Sequence, residues 1–172
     1  MSRLAIAIVA LGCLFASAVA ALVPAIGQDE APASRAVVIY DQAGTVLASL
    51  PLHGENFAVS YRNSIYGTLA EERYVILPDE RYRLVQIAAD QLAVLEEYYA
   101  VPGAPSRAGA SDRRTWVVPP DPAHPAVFEE LSIAATDLGQ RTLHVPGEPP
   151  LALWQLAEDD HPFVVLAIEE NP

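Results

Sequence analysis

The chain has 172 residues, 52% of them hydrophobic, and a net charge of -12 at neutral pH. That length fits one domain plus a targeting segment, and its acidity argues against nucleic acid and against a polybasic grip on anionic lipid. All ten basic residues are arginines, so a Schiff-base lysine, a P-loop lysine and a serine–lysine dyad are excluded.

The chain opens with one arginine and an uncharged apolar run, Leu4 to Ile26. Residues 1–27 read as a signal peptide or membrane anchor; small residues at Ala18–Ala20 fit a cleavage site, with Ala21 the mature start. As a helix the same run is about 34 Å long, enough for a retained membrane anchor. Either way the remainder is expected outside the cytoplasm, periplasmic or secreted, touching a membrane only through this segment. Cys13, the single cysteine, precedes more apolar chain rather than a polar tether, so lipidation is not expected. Without it the exported part is thiol-free, which suits an oxidising compartment.

Residues 28–35 read as a polar linker, and 36–170 as a single β-domain. "AVVIY" (36–40) is the first expected strand and "DQAG" (41–44) its turn. "TVLASLPL", "FAVSY" (57–61), "ERYVIL" and "YRLVQIAA" follow, with Phe57, Val59 and Tyr61 alternating onto one face. "QLAVLEEYY" allows a helix, but the run of strands around it favours a further strand. Residues 101–125 are rich in proline and small residues, with only "TWVV" able to form a strand. "AVFEEL" suggests one helical turn. Strands resume at "SIAAT", "RTLHV", "LALWQL" and "FVVLAI". Some eight to ten short strands at this spacing predict an all-β fold, an antiparallel sandwich or a partly open barrel.

The stretch "FAVSYRNSIYGTLAEERYVIL" (57–77) raises a question of chemistry. Gly67-Thr68 suits a two-residue type II′ turn. The implied register sets Val59 against Ile76, Tyr61 against Tyr74, and Asn63 against Glu72. An amide then faces a carboxylate at the loop end of an apolar face. The pair is either a satisfied structural bond at the sheet rim or part of a small binding site made by Tyr61, Asn63, Ser64, Glu72 and Tyr74.

These residues resemble the bacterial family called domain of unknown function 1850. Its pattern is an aromatic, then His-Ser-Val, about six residues, and Glu-x-aromatic, followed by a Gly-Ala-Gly and proline loop. Here the corresponding residues are Tyr61, Asn63-Ser64-Ile65 and Glu72-Arg73-Tyr74, with "VPGAP" (101–105) a looser echo. The resemblance spans roughly residues 36–168. It implies an exported or anchored domain of unestablished activity, often encoded beside TRAP transporters of the TAXI type, hence an accessory role with such transporter subunits as partners. Where the family has histidine this chain has Asn63, which neither ligates metal nor titrates near neutrality.

No metal or other cofactor is expected. His53, His124, His144 and His161 stand at no metal spacing with one another, and "EDDH" (158–161) reads as a hairpin tip rather than a calcium loop. Ser64 lacks a nucleophile elbow and an adjacent histidine, so a hydrolase is a minor reading. Trp116 and Trp154 suit a core or interface better than a sugar platform. The expected function is a non-catalytic accessory domain; the alternative is a small-ligand binder at the Asn63/Glu72 rim.

Overall fold

The structure, a computed structural model, describes residues 34–158 and 160–171. The apolar run 4–26, its cleavage site, Cys13 and most of the linker lie outside the described residues. Among the described residues no helix is long and apolar enough to cross a membrane.

The described residues form twelve strands in two antiparallel sheets: β1 (Ser34–Tyr40), β2 (Val46–Pro51), β3 (Asn56–Arg62), β4 (Leu69–Ile76), β5 (Tyr82–Ala89), β6 (Ser106–Arg107), β7 (Trp116–Val118), β8 (Val127–Phe128), β9 (Glu130–Ala134), β10 (Thr142–His144), β11 (Leu151–Ala152) and β12 (Phe163–Asn171). The smaller sheet runs β2-β1-β12-β9. The larger runs β11-β10-β3-β4-β5-β7-β6, with β8 also paired to β5. The arrangement is a sandwich, and the sheets do not close into a barrel.

Alternation decides what lies between the sheets. Val37 and Ile39 of β1, and Val164, Leu166 and Ile168 of β12, meet Phe57, Val59, Leu143, Tyr74, Ile76 and Tyr82 from the larger sheet. Phe57 stacks on Tyr74 with ring centres 5.1 Å apart, and both rings meet Tyr82 edge-on. The Tyr82 hydroxyl crosses the core to donate to the Leu166 carbonyl at 3.0 Å, so its polar end is satisfied while its ring is wholly buried.

The larger sheet carries a second apolar cluster on the same face: Tyr61, Ala70, Ile87, Ala89, Val94, Leu95 and Val118. Its cover is a short π-helical segment, Val94–Tyr99. This corrects the strand expected for "QLAVLEEYY". Val94 and Leu95 are adjacent and both buried, whereas a strand would turn one of them away. Ala100, in the left-handed region at φ 48°, ends the helix. The one-turn helix expected at "AVFEEL" is likewise strand, because Val127–Phe128 pair with β5 and Glu130 onward with β12. Within 101–125, Ser106–Arg107 fold back on Trp116–Val118 as a sheet edge. In "LALWQL" only Leu151–Ala152 are strand, and Leu153–Gln155 make a single 3-10 turn.

Candidate functional site

The β3–β4 hairpin departs from the expected register. Phe57 pairs with Tyr74, Val59 with Glu72 and Tyr61 with Ala70. The connection is the six-residue loop 63–68, not a two-residue turn at Gly67-Thr68. The Asn63 carboxamide oxygen accepts from the backbone N–H of Ile65 and of Tyr66, at 3.0 and 3.1 Å. Its backbone closes the loop by accepting from Gly67 N–H and donating to the Thr68 carbonyl, both at 2.8 Å. Gly67, at φ +66°, supplies the left-handed residue this closure needs. An asparagine that can satisfy the loop from within outcompetes the tighter turn. Asn63 therefore does not face Glu72. It is a buried loop cap, and Ser64 beside it is exposed.

The displaced register preserves parity, so the expected faces persist. Tyr61, Glu72 and Tyr74 all point inward, and a residue absent from the sequence reading joins them. Tyr99, on the helix, donates to Glu72 Oε1 at 2.7 Å, and Tyr74 donates to Oε2 at 2.8 Å. Tyr61 in turn donates to the Tyr99 hydroxyl at 2.8 Å, with the Arg141 guanidinium 4.7 Å above the Tyr61 ring. Burial pushes Tyr61 up to about 12, and drives Tyr74 and Tyr99 above the ordinary tyrosine value, with the Glu72 charge adding to it. These phenols are committed donors. The network bridges the two apolar clusters, and each carboxylate oxygen of Glu72 accepts one phenol.

The opposite face of the same strands holds a different polar assembly. Glu71, 0% exposed, accepts from Arg73 Nε at 2.8 Å and from Arg113 through a fork, Nη2 to Oε1 at 2.7 Å and Nε to Oε2 at 3.1 Å. Arg114 Nε, buried and without a hydrogen bond, lies 3.5 Å from Oε2. Arg73 also grips Asp112 with both terminal nitrogens, at 2.8 and 2.6 Å, and donates to Gln86 Oε1 at 2.7 Å. Arg114 continues to Asp90. Burial alone pushes Glu71 up, but Arg113 and Arg73 overcome it and hold it below the carboxylate range. Arg73 brings Asp112 down to about 2.

Beside this cluster runs an open groove of about 770 Å³. Its floor is the outward face of β3, β4, β5 and β10. Arg73, Gln86, Arg113 and His144 line the groove beside the cluster; Asn56 and Glu148 are its other polar lining, and Ala58, Val75, Val85, Pro146 and Pro150 are apolar. Its wall is the stretch 145–150. Pro146-Gly147, with Gly147 at φ +90° and Glu148 N–H bonded to the Val145 carbonyl, has the pattern of a type II turn. A side chain on Gly147 would meet His53 at 2.9 Å, and His53 bonds Glu148 at 2.8 Å. The wall is thus pinned from behind.

His144 Nε2 is 2.8 Å from the buried Ser60 Oγ. Burial, then Arg113, hold its imidazole below the ordinary histidine value, against a smaller opposing pull from Glu71. A serine–histidine pair invites comparison with a nucleophile, but among the described residues no acid bonds the ring, and Ser60 is buried in its strand.

The fold and these sites define an all-β sandwich with a preformed surface groove, the form of many small binding domains. Comparison with family models, curated proteins and solved structures finds no match.

Proposed function

We propose that this chain is an exported, non-catalytic binding domain that takes a small molecule in the groove between β3–β5, β10 and the 145–150 wall. It serves as an accessory protein to a solute importer of the TRAP type. The observation that carries the binding half is the groove itself. It has a volume in the range of ligand sites, a wall held by the His53–Glu148 bond, and a cluster of polar groups at Arg73, Gln86, Arg113 and His144. The rim of Asn63 and Glu72 is not the seat, because the loop backbone occupies one and three phenols surround the other. Support for the accessory half comes from the apolar N-terminal run and from the resemblance carried by Tyr61, Ser64, Glu72 and Tyr74.

In-cell crosslinking of the tagged full chain tests both halves when the parent is compared with Val85→Trp. Val85 is an exposed residue at the β4–β5 bulge, so the indole fills the groove without entering the core. The expected result is capture of a transporter subunit or a solute-binding protein by the parent, weakened by the substitution. Capture of neither defeats the accessory reading.

A further inference from the structure

We infer that the groove selects amphiphilic carboxylates, an aliphatic chain ending in a single carboxylate, and that Arg113 passes from Glu71 to the ligand to hold it. The inference rests on the groove being the ligand seat.

Three arginines converge on Glu71, more than one carboxylate needs, and they are not equivalent. The Arg73 and Arg114 side chains are 21% and 10% exposed, and each also holds an aspartate. Arg113 is 53% exposed, pairs with no acid but Glu71 among the described residues, and lines the groove. If it swings outward, Glu71 keeps the 2.8 Å bond from Arg73 and the nearby Arg114 charge, so no buried carboxylate is stranded. The geometry in which Arg113 now grips Glu71 is the two-point fork of a guanidinium on a carboxylate, which a ligand carboxylate reproduces.

The surroundings set the charge of the ligand at one. Of the two arginines that line the groove, Arg73 is held by Asp112 and Glu71, and Arg113 is the one free to be reassigned. His144, held below its ordinary value, brings no charge at neutral pH. Gln86, whose oxygen is taken by Arg73, has only its amide N–H groups left, which are donors. The acids nearby are already engaged, Asp112 by Arg73 and Glu148 by His53. A second negative charge would therefore face Glu71, Asp112 and Glu148 with no further cation among the groove-lining residues. Beyond this end the lining carries no further free polar side chain apart from Asn56. Ala58, Val75, Val85, Pro146 and Pro150 suit a hydrocarbon chain.

The test is a calorimetric titration, at neutral pH, of protein recovered from cells expressing the full chain. The probes are hexanoate, 1-hexanol and hexylammonium. Hexanoate is expected to bind at least about tenfold more tightly than the other two, the margin of a charge-assisted hydrogen bond. Arg113→Gln should remove that margin while leaving hexanol unchanged, Arg113→Lys should restore part of it, and Val85→Trp should abolish binding of all three. Circular dichroism melting confirms that each variant folds. Failure of hexanoate to bind, equal binding of hexanol, or an unchanged margin in Arg113→Gln overturns the carboxylate assignment. Unchanged binding in Val85→Trp overturns the groove as the seat.

Discussion

Glu71 and Glu72 are neighbours in the chain and opposites in the structure. Strand alternation sends Glu72 inward, where two phenols donate to it, and Glu71 outward, where three arginines enclose it. The inward carboxylate is only partly buried and is held by neutral donors that are themselves anchored in the aromatic core. The outward one is wholly buried beneath Arg73 of its own strand and Arg113 and Arg114 of the 108–115 connection, so its solvation is replaced by charge. An inward face is covered by the second sheet and the helix. An outward face that buries a charge has to bring its own cover, and that cover is what shapes one end of the groove.

This contrast can be broken most sharply at Glu71. Glu71→Ala leaves three guanidinium groups without their shared acceptor, and should cost about 3–5 kcal/mol, read as a lowered denaturant midpoint. A loss below that of the inward network would mean that the outer cluster is solvated and not structural. Tyr99→Phe comes next. It removes the donor to Glu72 and the acceptor of Tyr61, for about 1.5–3 kcal/mol by the same measurement.

The acid limb of stability sharpens the outer side further. Asp112 has its folded value lowered to about 2, below the ordinary aspartate range. Its contribution is therefore fully present above about pH 4 and lost as pH falls through about 2. The stability difference between the parent and Asp112→Asn should accordingly shrink between those values, and a difference that stays constant contradicts the pairing with Arg73. The smallest effect is expected at the hairpin loop, which belongs to neither face. Asn63→Ala should cost about 1 kcal/mol, because two backbone N–H groups lose one acceptor, while Asn63→Asp keeps it. A loop indifferent to Asn63→Ala would remove the capping role.

Much of the scaffold was readable in advance. The odd-numbered residues 57, 59 and 61 and the even-numbered 72, 74 and 76 were expected on one face, and they are, although the partners shifted. A register moved by four positions keeps every side chain on its side, so periodicity survives an error in the turn. The same parity assigns Ser60, Glu71 and Arg73 to the opposite face, a signal present in the sequence but not followed. Tyr99 was missed for a different reason. "QLAVLEEYY" is apolar enough for either element, and only the uncovered end of the larger sheet selects the helix that aims its phenol at Glu72.

Composition and order along the chain sufficed for the all-β class, the places where most strands lie, and the absence of any lysine chemistry, since these depend on residue type and period alone. The groove could not be read that way. Its floor comes from β3, β4, β5 and β10, its charged end from residues near 113, and its wall from residues near 147. Which of these meet depends on strand order and on loops folding over a sheet edge. Both are decided by long-range packing, which local spacing does not encode.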